Sequence, residues 1–236
     1  MKYILIILFI ILPAQSFSQN FRTFNVMSGT GFFVNRNYVV TNAHVVGACK
    51  NVIVKGAIPE HEGRVTAIDA ERDLAVIQID MPPPEVAPLR YNIDDLKAGD
   101  GLMIIGYPGE AGARGEYRVA NTNIVDIKVE GDNGKWLYVT DVVQHGNSGG
   151  PVFDTSGNVI GVVVAKAQIK KSFGDPSKSD EIIPVGVVIS LNTLKQFLLN
   201  NGVFSEAGGV SVNYSESYIE ERARNYIVNV QCRIPE

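Results

Sequence analysis

The chain has 236 residues and a formal net charge of −4 at pH 7. That length allows one or two domains and a substantial core without covalent staples. The charge gives no basic excess, so nucleic acid is not an expected partner.

The first element reads as an export signal. Lys2 supplies a positive start, residues 3–12 are unbroken apolar, and Pro13-Ala14-Gln15-Ser16-Phe17-Ser18 sets small residues at alternate positions. This pattern predicts a signal peptide over residues 1–18, cut after Ser18, with a cut after Ser16 as the alternative. The apolar run is too short to span a bilayer as a mature helix. No cysteine follows it, so a lipid anchor is not expected. Retention as an uncleaved anchor is the competing outcome. The expected product is an exported protein, periplasmic or extracellular, with no stable membrane anchor once the signal is removed.

Beyond residue 20 the pattern is strand and turn. Residues 30–34 and 38–41 flank Asn35-Arg36-Asn37, a hairpin signal. Strands are further expected at 51–55, 64–68, 74–80 and 102–105. Gly 23 and Pro 11 among short β-branched runs indicate an all-β protein. Thr41-Asn42-Ala43-His44 places a histidine directly after an apolar strand, and Arg72-Asp73-Leu74 places an aspartate at the head of an alternating run. Met81-Pro82-Pro83-Pro84 reads as a rigid connection inside the first unit, because the strand pattern resumes beyond it.

Gly146-Asn147-Ser148-Gly149-Gly150-Pro151 holds a serine in a glycine-flanked turn. Glycine reaches backbone angles closed to other residues and allows close approach. Such a turn can aim several N–H groups at one point, as a tetrahedral oxyanion requires. In isolation the segment is also an ordinary surface turn. His44, Asp73 and Ser148, in that order, are the parts of a Ser-His-Asp triad. A Gly-x-Ser-x-Gly nucleophile elbow needs its acid and histidine after the serine. His44, His61 and His145 all precede Ser148, so the elbow fails on order. Asp69 competes for the acid's role; Asp73 is favoured because it directly precedes the strand. In the triad, Ser148 attacks, His44 carries the proton and Asp73 orients the imidazole. Backbone N–H groups of the Gly146-Asn147-Ser148 turn, those of Gly146 and Ser148 in particular, form the oxyanion hole.

The tail departs from all-β. Residues 192–200 have helical apolar spacing, with Asn192 or Thr193 as cap and Gly202 as stop. Residues 217–224 read as a short helix with Ser217 and Glu220 spaced as a capping box, and 226–233 as a strand. Two cysteines in an exported chain invite a Cys49–Cys232 disulfide; reduced, buried thiols are the alternative. No cluster has zinc spacing, so neither metal nor cofactor is expected.

Together these segments resemble chymotrypsin-fold serine proteases, and most of all the HtrA/Deg branch. The residues that carry the resemblance are Ser28-Gly29-Thr30-Gly31, Thr41-Asn42-Ala43-His44, Asp73-Leu74-Ala75, Gly106-Tyr107-Pro108-Gly109 and the Ser148 turn, followed by Gly157-Asn158-Val159-Ile160-Gly161. The resemblance implies a protease domain over 19–200, made of two six-stranded antiparallel barrels. Barrel one would cover about 22–110 and barrel two about 116–190, with a closing helix at 192–200. Residues 201–236 would pack on the barrels. The PDZ module usual in that branch is not expected here, and the cysteine pair is a departure from it.

The resemblance also implies endopeptidase activity on protein or peptide substrates. The alternatives are a protease-fold binding protein with little turnover and a hydrolase of non-peptide acyl groups. Trypsin-like zymogens carry an aspartate where this chain has Asn147; an uncharged amide cannot pair with a new N-terminus, so that route of activation is not expected. Val142, six before Ser148, stands where an Arg/Lys-selecting aspartate would be, and Val163 where a Glu-selecting histidine would be. Val142, Val143, Val163 and Val164 therefore imply an apolar pocket of medium size, unless some of them face the core. His145, beside the oxyanion loop, is either a pH-sensitive neighbour or an exposed loop residue without a role. Oligomeric state is not readable.

Overall fold

The computed structural model describes residues 24–129, 135–171, 180–206, 208 and 212–235. The expected signal peptide, 1–18, lies outside them. Twelve strands form two closed antiparallel barrels. In chain order the first half gives β1 Phe24–Phe33, β2 Tyr38–Thr41, the single-turn helix α1 Ala43–Val46, β3 Asn51–Gly56, β4 His61–Asp69 and β5 Leu74–Gln78. The second gives β6 Gly101–Gly106, α2 Gly109–Ala113, β7 Arg118–Val129, β8 Lys135–Thr140, β9 Pro151–Phe153, β10 Val159–Lys171 and β11 Glu181–Ser190. Then follow α3 Leu191–Asn200, α4 Glu216–Ala223 and β12 Ile227–Pro235.

Barrel one closes in the order β1-β12-β3-β4-β5-β2, and barrel two in the order β10-β11-β8-β7-β6-β9. This corrects the expected boundaries. The strand at 102–105 is not the sixth strand of barrel one: it pairs with β7 and β9 and opens barrel two. The sixth strand comes from the tail. β12 lies between β1 and β3, with Met27 opposite Cys232 and Val54 opposite Val230. A strand's alternation identifies the face it buries, but carries no mark of which barrel it will close.

Local chemistry explains the elements. Asn35 accepts from the N–H groups of Asn37 and Tyr38, both at 2.9 Å, and so fixes the β1–β2 hairpin. Phe32, Val40, Val54, Ile77 and Val230 are fully buried in barrel one, as are Ile104, Leu137, Val152 and Val188 in barrel two. The expected closing helix is α3, which buries Leu194, Phe197 and Leu198. It begins one residue earlier than expected, after Ser190, whose hydroxyl pairs with that of Thr193 at 3.2 Å. Gly202 follows it at φ 67°, as a helix stop requires.

The cap of α4 is Ser215, which accepts from Tyr218 N–H at 3.3 Å. The expected Ser217–Glu220 box does not form; Glu220 instead accepts from the Tyr117 hydroxyl at 3.1 Å. Glu85, just after the proline run, receives Arg222 and Asn225 and ties the tail to the segment joining β5 to β6. The proline run thus leads out of barrel one and does not lie inside it, because the strand pattern that resumes beyond it belongs to barrel two. Cys49 and Cys232 are bonded, with Cα atoms 5.8 Å apart.

Candidate active site

His44 sits in α1, whose Val45 and Val46 are buried against barrel one and leave the imidazole half-exposed. Asp73 lies in the turn before β5. Its carboxylate accepts from His44 Nδ1 at 2.7 Å and from the His44 backbone N–H at 2.9 Å. Two contacts to one residue fix both the position and the tilt of the ring. Asp69 makes no such contact. Its carboxylate accepts from Arg72 Nη1 at 2.8 Å and from Arg72 N–H at 2.9 Å. Burial alone would raise its pKa, but the bonds and charge of Arg72 outweigh this and hold it below the usual value.

Ser148 comes from the turn before β9, on barrel two, and shares a cavity of about 380 Å³ with His44. Its hydroxyl donates to the Val164 carbonyl at 2.8 Å. The backbone around it is tightly tied. Gly109 N–H donates to the His145 carbonyl at 2.7 Å, Asn147 N–H to Gln144 at 3.0 Å and Gly150 N–H to Asn147 at 2.9 Å. A trans peptide points its carbonyl and N–H in opposite directions. The N–H groups of Gly146 and Ser148 are thereby turned away from those ties, and no carbonyl among the described residues accepts from either. The Asn147 N–H is engaged within the loop and does not join them. Gly146 adopts φ 94°, and a Cβ there would meet the Tyr107 carbonyl.

The cavity wall divides the four expected valines. Val143 and Val164 line it, together with Ala165, Gln144, His145 and Lys166. Val163 does not: it is fully buried and its carbonyl accepts from Gly149 N–H at 2.8 Å. Val142 is half-buried and lies outside the lining. Val163 and Val164 are neighbours in β10 and point to opposite faces, whereas Val142 and Val143 lie in the loop after β8. Lys166 pairs with Asp141 at 3.0 Å. Among the described residues no group of three or more His, Cys, Asp or Glu could hold a metal ion.

Residues 29–162 match the family model described as a trypsin-like peptidase domain. The chain belongs to the trypsin-like peptidases. One relative is a serine protease of Mycobacterium tuberculosis, Rv3671c, 33% identical over 60% of this chain and 37% of its own length. Another is a probable periplasmic DegP-like serine endoprotease of Brucella suis, 32% identical over 59% of the chain and 28% of its own length. An uncharacterized Sinorhizobium fredii protein, y4bJ, is 29% identical over 87% of the chain and 32% of its own length. The chain thus spans 28–37% of the length of these relatives. Crystal structures of the Rv3671c protease align well. The inactive form covers 75% of this trypsin-like peptidase and 87% of the crystallised chain, at 25% identity and TM-score 0.58. The active form covers 76% of each, at 26% identity and TM-score 0.57.

Three residues of this trypsin-like peptidase's site lay beyond sequence reasoning: Thr30, Asn42 and Gly109. Each stands inside a segment that marks the family, but its individual bonds have no signature in the sequence.

Proposed function

We propose that the chain is an exported serine endopeptidase in which Ser148, His44 and Asp73 act as the triad. The observation that carries this reading is that His44, doubly held by Asp73, lines the same cavity as Ser148. In the first step the Ser148 hydroxyl turns from Val164 to His44 and attacks the scissile carbonyl. His44 takes its proton and later gives it to the leaving amine, while Asp73 holds the tautomer and steadies the imidazolium. The free N–H groups of Gly146 and Ser148 receive the oxyanion. Loss of one such donor costs about 2.7–4 kcal/mol elsewhere. The Val164 carbonyl, vacated by the hydroxyl, becomes an acceptor for a substrate N–H, which suits a peptide better than a simple ester.

Val143, Val164 and Ala165 support a preference for small or medium aliphatic residues before the scissile bond. Export rests on the residue 1–18 pattern, the Cys49–Cys232 bond and the periplasmic name of the Brucella relative. No helix among the described residues is long and apolar enough to cross a membrane.

Ser148→Ala should lower casein turnover by about 10⁴–10⁶-fold; persistent cleavage by a clean preparation would sink the assignment. A binding protein with little turnover is the second reading, and the Ser148–Val164 bond speaks for it. Labelling of Ser148 by a fluorophosphonate separates the two.

A further inference from the structure

Thr30 belongs to barrel one, yet two of its polar contacts reach the serine loop of barrel two and a third reaches Tyr107 just after β6. It is fully buried at the middle of β1. Its N–H donates to the Ser148 carbonyl at 2.8 Å. Its hydroxyl donates to the Gly146 carbonyl at 2.6 Å and accepts from Tyr107 N–H at 2.9 Å. Its own carbonyl accepts from the Thr41 hydroxyl at 2.7 Å, three residues before His44. One residue thus touches the nucleophile turn, the loop that holds the His145 carbonyl, and the strand that delivers the histidine.

The geometry of these bonds matters more than their number. Holding the Gly146 carbonyl fixes the 146–147 peptide, and holding the Ser148 carbonyl fixes the 148–149 peptide. Between them lies the 147–148 peptide, whose N–H is that of Ser148. That middle peptide's own carbonyl accepts from Gly150 N–H at 2.9 Å, so with both neighbours pinned its N–H can turn away only by breaking this bond. The Tyr107 N–H completes the hydroxyl's partners, so the threonine side chain is locked as donor to Gly146. Gly149 brings the loop this close: a Cβ there would meet the Thr30 carbonyl and the Thr41 hydroxyl.

We propose that Thr30 is a positioning residue that holds the Gly146–Ser148 turn with its two N–H groups presented to substrate. The proposal rests on the reading of Ser148 as nucleophile. Thr30→Val keeps the shape and removes the hydroxyl; Thr30→Ser keeps the hydroxyl and removes the methyl. Removal of a hole donor itself lowers turnover about 10²–10³-fold, and misplacing donors costs less. Thr30→Val is expected to lower kcat about 10–100-fold on a peptide substrate, with KM within about threefold, by analogy with loss of contacts made only in the transition state. Affinity for a peptide aldehyde should fall in parallel with kcat, and the pH profile of kcat/KM should keep its shape. Thr30→Ser should stay within about threefold of the natural protein in all three.

Thermal melts report folding of each variant. Should Thr30→Val not fold, Thr30→Ala takes its place in the comparison with Thr30→Ser. Natural kcat and aldehyde affinity in Thr30→Val would overturn the proposal, as would equal impairment of Thr30→Ser. Failure of the natural protein to react with a fluorophosphonate would instead overturn the Ser148 assignment itself.

Discussion

Asn42 donates its side-chain amide to the backbone carbonyl of Asp73 at 2.8 Å. Asp73 is the one non-glycine among the described residues with positive φ, at 54°. Aspartate tolerates this region better than most residues, yet such a conformation still costs on the order of 1–3 kcal/mol. The buried Asn42 amide offsets that cost. It also ties the acid's backbone to the residue that opens α1, so His44 and Asp73 are aligned by main chain as well as by side chain.

Asn42→Ala should therefore loosen Asp73 rather than unfold the barrel. The expected loss of stability is at most about 1–3 kcal/mol, the cost of leaving a part-buried carbonyl without its donor, lessened because the substitution also removes Asn42 Oδ1, which is buried without a partner. Turnover should fall more than the melting temperature suggests, because Asp73 loses its fixed approach to His44. Urea denaturation beside casein assays checks this; unchanged kcat would show that the carboxylate contacts alone suffice.

Reduction of Cys49–Cys232 should weaken the fold markedly. The bond joins residues 183 apart in sequence. A loop of that size gives about 5 kcal/mol in the chain-entropy model, and native bonds of this kind give roughly 2–5 kcal/mol. For a chain of this size that is a drop of roughly 5–15 °C in melting temperature. Scanning calorimetry of Cys232→Ser measures it. A shift under about 2 °C would mean that the strand pairings of β12 hold the tail unaided.

Alkaline pH should destabilise the protein through its buried phenols. Burial pushes Tyr107 from 10.0 up to about 12, and burial likewise raises Tyr226. A phenol with a raised folded-state pKa keeps its proton longer when folded than when unfolded. Its full contribution is present below pH 10 and is lost as pH rises toward 12. For Tyr107 the full loss is about 2–3 kcal/mol, with roughly half of it reached by pH 11. Tyr107→Phe should flatten this limb in denaturant titrations at pH 9 and 11; an unchanged slope would sink the idea.

Cleavage-site mapping on a peptide library tests the pocket. Small or medium aliphatic residues should precede most cut bonds, because Val143, Val164 and Ala165 form the apolar wall. Cleavage mainly after Glu, Lys or Arg would instead assign selection to the Lys166–Asp141 pair at 3.0 Å in the same region.

The sequence pattern carried most of the strands. Residues 38–41 coincide with β2, and 74–80 overlap β5, because alternating apolar residues flanked by Asn-rich or Asp-rich turns leave few options. The order of His44, Asp73 and Ser148 was likewise readable, since each stands at the end of a strand or in a turn. Barrel membership was not. Residues 102–105 are a continuous apolar run and β12 mixes apolar with polar residues, yet neither pattern names a barrel, and only long-range pairing assigns one to each. The split of the valines was hidden for a related reason. A β-bulge between Val163 and Ala165 shifts the register there, and bulges re-aim side chains without a marker in sequence. Thr30 was hidden because three of its four partners named above are backbone groups, which every residue possesses.

The topology of barrel one also sets an order of assembly. Strands β6 to β11 are contiguous in the chain and can close around their own core. The other barrel cannot, because its wall between β1 and β3 is filled by residues 227–235. During synthesis, the half that bears Ser148 can mature while the half that bears His44 and Asp73 stays open-edged. Open edges invite pairing with other chains, and such partly folded species aggregate readily. A chain arrested before residue 227 should hold a folded second barrel, as seen by protection in hydrogen exchange, and cleave nothing.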